Sequence, residues 1–130
     1  MAARRQTMAR GKQSLPMLDA AAILAAGDIR VEALDVPEWG GRVYVKTWSG
    51  VERELFEVAV MDAGGKLARH AFRAKVAQLS LCDAGGKLLF TADQIEALHA
   101  KSSTALDRVM TAADRINTIT GAAQDELLGN

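Results

Sequence analysis

The chain is poor in the residues that build most reactive sites. Its 130 residues include one cysteine, two histidines, two prolines and six aromatic side chains. A lone cysteine, Cys82, cannot close an internal disulfide, and such sparing use fits a reducing compartment. A four-ligand zinc site built around it would have to recruit carboxylates, and no recognised ligand spacing is present. Long apolar runs are missing too. The longest, Ala20–Ala26, has seven residues, where a bilayer span needs about 20. Asp19 sits at its entrance and Gly27-Asp28 ends it, which makes a poor core for a secretion signal. The chain therefore reads as cytosolic, with no membrane contact. With so few aromatics, its core must be built mainly from Leu, Val, Ile, Ala and Met.

What is present is a globular balance, 49% apolar and 25% charged, in a length suited to one domain with a real core. The formal net charge is zero but unevenly spread. Residues 1–18 hold Arg4, Arg5, Arg10 and Lys12 and no acid, leaving 12 basic and 16 acidic groups for the rest, a net of −4. A mildly acidic body argues against a general polyanion binder. Residues 1–16 lack periodicity and are assigned as a flexible basic arm, with 17–130 as a single domain.

Asp19 caps a short helix to Ala26, with Gly27 as its left-handed terminator. Ile29, Val31 and Ala33 alternate with Arg30 and Glu32 as a half-buried strand, and the alternation breaks at Leu34. Pro37 to Gly41 make a five-residue turn, after which Val43, Val45 and Thr47 alternate with polar neighbours and with Trp48 to complete a hairpin. Ser49 and Glu52 have capping-box spacing and open a helix to about Met61, with Val51, Leu55, Phe56, Ala59 and Val60 on its apolar face. A second helix spans about Leu67 to Leu79, with Ala68, Phe72, Val76 and Leu79 inward. A short strand-turn-strand around Asp83 follows. Thr91 and Gln94 form another capping box, and Ser102 or Ser103 caps a helix to about Asn117 with Leu106, Val109, Met110, Ala113 and Ile116 at 3-4 spacing. A last helix is expected from Thr120 to Leu128. The fold class is α+β: an N-terminal hairpin and a second strand-turn-strand packed with four to six helices. The sequence D-A-G-G-K-L occurs at 62–67 and again at 83–88. Its flanks, two helices in one copy and two strands in the other, point to two similar turns rather than a repeat.

Tests for chemistry come back empty. Asp83 to Gln94 superficially resembles a calcium loop, but Gly85, Lys87 and Leu88 occupy positions that need oxygen ligands or glycine, and Gln94 replaces the bidentate Glu. Cys82 with His70 or His99 lacks an orienting third group and lies in an apolar run, which favours a buried structural thiol. Lys66, Arg69, His70 and Arg73 fall at helical spacing as a basic stripe, read as a solvated face rather than a phosphate site. No catalytic residue, cofactor or metal is assigned. Trp39 at the hairpin tip and Trp48 in the outward register of its strand are as consistent with an interface as with packing.

Three motifs carry a family resemblance. The first is V-P-E-W-G-G at Val36–Gly41 with Val43-Tyr44-Val45 behind it. The second is L-C-D-x-x-G-K-L-L-F at 81–90 followed by Thr91-x-Asp93. The third is S-x-x-A-L-D-R-V at 102–109, in a helix that ends Arg115-Ile116-Asn117. In this order they closely resemble the tail assembly chaperones of long-tailed phages and prophages, over about residues 18–120. The 1–14 arm and Asp62–Lys66 depart from the shared pattern without touching the motifs.

That resemblance implies a binding protein, not an enzyme. Its partner would be the phage tape measure protein, a long, apolar, helical client kept soluble while tail tube subunits polymerise around it. A longer frameshifted form would recruit the major tail protein, making this chain the short form or one without a frameshift. The setting implied is the host bacterial cytoplasm, with the protein absent from the mature particle. Homo-oligomers are compatible, whether dimer, ring or spiral. The partner-binding residues expected are Trp39, Trp48, Phe56, Phe72 and Val76. The competing readings are a structural tail or connector component, which would be richer in long hairpins, and a small nucleic-acid-binding regulator, which would need a DNA-reading helix pair that is not seen here.

Overall fold

The computed structural model describes residues 14–119. Most of the arm and the helix expected at 120–128 lie outside that range. Three antiparallel strands form one sheet in the order β1 (Val31–Val36), β2 (Gly41–Lys46), β3 (Leu81–Cys82). Five helices accompany it: α1 (Ala20–Ala25), α2 (Gly50–Ala59), α3 (Phe72–Ser80), α4 (Ile95–His99) and α5 (Ser103–Asn117). This is the expected α+β class.

The hairpin forms as expected, with Val43 and Val45 of the second strand inward as read, but β1 turns its other face to the core. Register pairs Leu34 with Val43 and Glu32 with Val45, so Leu34, Val36, Val43 and Val45 share the face that packs into the core, while Ala33 is exposed. The alternation starting at Ile29 had selected the opposite face. The four apolar residues of the observed face outweigh Val31 and Ala33, and α5 covers them. The connection spans Pro37–Gly40, one residue shorter than expected, because Val36 and Gly41 already pair. Pro37–Trp39 make a 3-10 turn that Gly40 closes at φ +71°, a conformation glycine adopts without penalty.

Both capping boxes form. Ser49 Oγ accepts from Glu52 N–H and Glu52 Oε1 accepts from Ser49 N–H at the start of α2. Thr91 and Gln94 do the same ahead of α4, after a 3-10 first turn. Ser102 caps α5, which buries Ala105, Leu106, Val109, Ala112 and Ala113. Asp19 caps α1, but Gly27 is not left-handed: Ala26 ends the helix in extended backbone.

α3 begins at Phe72, not Leu67. The residues before it are spent on a turn: Met61 bridges to Leu67, Ala68 N–H donates to the Val60 carbonyl, and Ala71 takes a left-handed φ of +54° before the helix starts. Once begun, α3 is the centre of the molecule. It contacts α2, α4, α5 and β2 and buries Ala74, Val76, Ala77, Gln78, Leu79 and Ser80.

The two D-A-G-G-K-L segments are one structure used twice. Asp62 Oδ1 accepts from the Gly64 and Lys66 amides, and Asp83 Oδ1 from Gly85 and Lys87. Each Asp also exchanges backbone bonds across its turn, and the second glycine of each pair, Gly65 or Gly86, is left-handed. Each turn closes one antiparallel bridge, Met61 to Leu67 and Cys82 to Leu88. Each also follows a helix, so the flanks agree more closely than the sequence indicated.

Candidate partner-binding surface

Where β2 ends and α2 begins, polar groups converge. Lys46 is buried, and its Nζ lies 2.6 and 2.7 Å from the two carboxylate oxygens of Glu52. Glu52 thus caps α2 and neutralises a lysine that the strand carries inside. From the far end of α5, the Asn117 side chain accepts from Trp48 N–H at 2.8 Å and donates to the Lys46 carbonyl at 3.2 Å. Its own carbonyl accepts from Arg53, whose guanidinium also lies 5.3 Å from the Trp48 ring centre.

This corner fixes the aromatic residues that the sequence offered as partner contacts. Trp48 is only 7% exposed and donates its indole N–H to Ser80 Oγ at 2.9 Å. Its ring lies 4.9 Å from Phe56, which meets Phe72 edge-on at 5.5 Å. Val76 is fully buried. Trp48, Phe56 and Val76 are therefore committed to the core, and Trp48 lies past the end of β2 instead of in its outward register. Phe72 and Trp39 are half-buried against the same core. No acceptor meets Trp39 Nε1 among the described residues. In this conformation the first three offer a partner almost no side-chain surface.

The bare apolar surface lies elsewhere on α2. Phe56 and Val60 turn inward, while Val51, Leu55 and Val58 recur at i, i+4 and i+7 on the outer face and are exposed. Met61 extends the stripe beyond the helix. An open groove beside it is lined by Glu54, Glu57, Val58, Met61, Asp62 and Ala63, so its apolar floor has an acidic rim. The sequence marked Val51 and Leu55 as apolar-face positions but had no signal for which of them the core would leave uncovered.

A second apolar surface is the segment leading to β1. Every residue from 14 to 30 is exposed, including Leu15, Met17, Leu18, Ile23, Leu24 and Ile29, and α1 buries none of its side chains.

The remaining candidates become structural or dispersed. Cys82 is buried in β3, and burial pushes its thiol pKa up, away from the reactive thiolate. Asp83 has committed Oδ1 to backbone amides, which accounts for the aspartate of the calcium-like stretch. In the basic stripe only Arg73 stands on α3. It pairs with Asp107, while His70 Nε2 lies 2.7 Å from Glu96, so the row is broken up and partly neutralised. No helix among the described residues is long and apolar enough to cross a membrane.

No family model matches the chain, and no curated protein matches it. Among solved structures, the tail assembly chaperone of bacteriophage HK97 superposes with a TM-score of 0.53 at 20% identity. The match covers 72% of this chain and 88% of that one. The chain has the fold of a phage tail assembly chaperone.

Against the chaperone fold, the three sequence motifs prove to be its ties. Glu38 of the hairpin turn accepts from Arg108 of the A-L-D-R-V helix at 2.8 Å, and the neighbouring Asp107 holds Arg73 of α3. Phe90, closing the second motif, accepts from Gln78 of α3 through its carbonyl at 3.0 Å. Asn117, ending the third, locks the corner between β2 and α2.

Proposed function

We propose that this chain is a tail assembly chaperone whose client is a tape measure protein, held soluble through apolar contacts while the tail tube assembles. The observation that carries this reading is the shared fold with the HK97 chaperone over most of both chains. The exposed stripe on α2 supports it, since a protein that shields an aggregation-prone helical client needs an unpartnered apolar surface framed by charge. In this reading the protein acts by binding in the bacterial cytoplasm, without chemistry. A longer frameshifted product would carry the contact to the major tail protein.

Co-expression with the tape measure protein of the same gene cluster tests the proposal. The client's soluble fraction is expected to rise and the two proteins to co-purify. Val58→Asp on the bare stripe is expected to abolish both effects while leaving the fold intact. Unchanged client solubility with the wild-type chain, together with no co-purification, overturns the reading.

A further inference from the structure

We infer that the α1 segment of one copy docks on the α2 stripe of a second copy of this chain. This inference concerns the same α2 stripe as the client contact proposed above, which a neighbour's α1 covers until a client displaces it. Its disulfide and sedimentation readouts use the chain without any client, so they succeed or fail separately from that reading. It starts from a helix with no reason to exist in isolation. α1 has six residues, Ala-Ala-Ala-Ile-Leu-Ala, capped by Asp19. Isolated helices shorter than about 12–15 residues are marginal in water, and most helical stability in proteins comes from packing an apolar face. Yet α1 buries nothing in its own chain, with Leu24 86% exposed. The surface that stabilises it lies outside the folded body of its own chain.

The α2 stripe has the complementary properties. It is apolar, open and unfilled, with Val58 74% exposed, and its groove is rimmed by Glu54, Glu57 and Asp62. The cation of α2, Arg53, is engaged inward at Asn117 and Trp48. The segment ahead of α1 carries Arg4, Arg5, Arg10 and Lys12 with no acid through residue 18. An apolar hook behind a basic leader thus meets an apolar groove with an acidic edge, so charge sets the direction of docking and apolar burial holds it. Each copy carries one hook and one groove on different parts of its surface, so the contact also satisfies the neighbour's exposed surface.

The foot of the hook is fixed close to its own α2. Arg30 N–H donates to Thr47 Oγ1, and Thr47 N–H to the Arg30 carbonyl, just ahead of the Ser49 cap. Folding back onto the same chain is therefore the alternative that the test must separate. Full-length chains carrying Leu24→Cys are mixed with chains carrying Val58→Cys and oxidised mildly. Buried Cys82 stays out of the reaction. A disulfide between the two chains is expected, well above that formed when the second cysteine is placed at the exposed Leu89 instead. Sedimentation is expected to show the wild type above its 13.9 kDa monomer mass. Leu24→Asp and Val58→Asp should each sediment as folded monomers, and added salt should weaken the wild-type association. A monomeric wild type overturns the inference. So does an inter-chain disulfide no more frequent than the Leu89 control, or a chain carrying both Leu24→Cys and Val58→Cys that closes its disulfide within itself while the singly substituted chains form none.

Discussion

The Asn117 carboxamide makes two bonds at once, accepting from Trp48 N–H and donating to the Lys46 carbonyl. Its removal strands a donor and an acceptor at a largely buried corner, so Asn117→Ala is expected to destabilise by about 2 kcal/mol, measured by urea unfolding. Trp48→Phe keeps the contact with Phe56 but leaves Ser80 Oγ without its indole donor, and about 1 kcal/mol is expected for that loss. Cys82 supplies a third residue-scale test. Because burial raises its thiol pKa and walls it off, alkylation at neutral pH should be negligible in the native protein and complete in denaturant, as read by mass spectrometry. The buried thiol of Cys82 was legible from its apolar run, but the roles of Asn117 and Trp48 were not. Trp48 had no sign of its partner 32 positions away, and Lys46 read as an ordinary exposed strand lysine. Its burial is set by Glu52, which the sequence identified only as half of a capping box.

Among elements, the two D-A-G-G-K-L turns provide an internal control. Gly65 and Gly86 sit at φ +79° and +88°, whereas Gly64 and Gly85 have ordinary φ and room for a Cβ at normal contact distance from the Asp carboxylate. Gly65→Ala and Gly86→Ala are therefore expected to cost about 1 kcal/mol each, the left-handed penalty for an L-residue. Gly64→Ala and Gly85→Ala should stay within about 0.5 kcal/mol of wild type. Equal losses at all four sites would contradict the turn geometry. Turns and caps were readable because their chemistry is local: Ser49 and Glu52, or Thr91 and Gln94, lie three residues apart and need nothing distant. The face of β1 was not, because Leu34 and Val36 point inward only by virtue of their register with Val43 and the cover from α5. The start of α3 was hidden for a related reason. Leu67 and Ala68 fit a helical period, but the preceding turn takes their backbone groups. The α2 stripe shows the converse limit, since apolar periodicity reads the same whether a neighbour covers it or not.

At the scale of the whole molecule, the recognisable motifs and the two extended apolar surfaces, the α2 stripe and α1, occupy different residues. The V-P-E-W-G-G turn, the Phe90 carbonyl and the A-L-D-R-V helix hold the scaffold together, while Val51, Leu55, Val58 and α1 lie outside all three motifs and are free to change without loosening it. Ion pairs add a pH-sensitive layer to those ties. Glu32 pairs with Arg115 and Glu38 with Arg108, joining the hairpin to α5, and Glu96 pairs with His70, joining α4 to the approach to α3. The hydrogen bond from Arg115 lowers the pKa of Glu32, that from Arg108 lowers Glu38, and that from His70 lowers Glu96, each from an ordinary value of 4.5. A carboxylate with a depressed folded pKa binds fewer protons than in the unfolded chain, so its contribution is fully present above the ordinary value and disappears as pH falls through the folded one. The melting temperature is thus expected to hold down to that value and then to drop as pH falls through the lowered folded-state values. All three carboxylates lie at the surface, so salt should shrink the effect. A chain with Glu32→Gln, Glu38→Gln and Glu96→Gln should melt below wild type at neutral pH and converge with it once the wild-type carboxylates are protonated. A constant gap between the two melting curves at every pH would assign the loss to packing, not to charge.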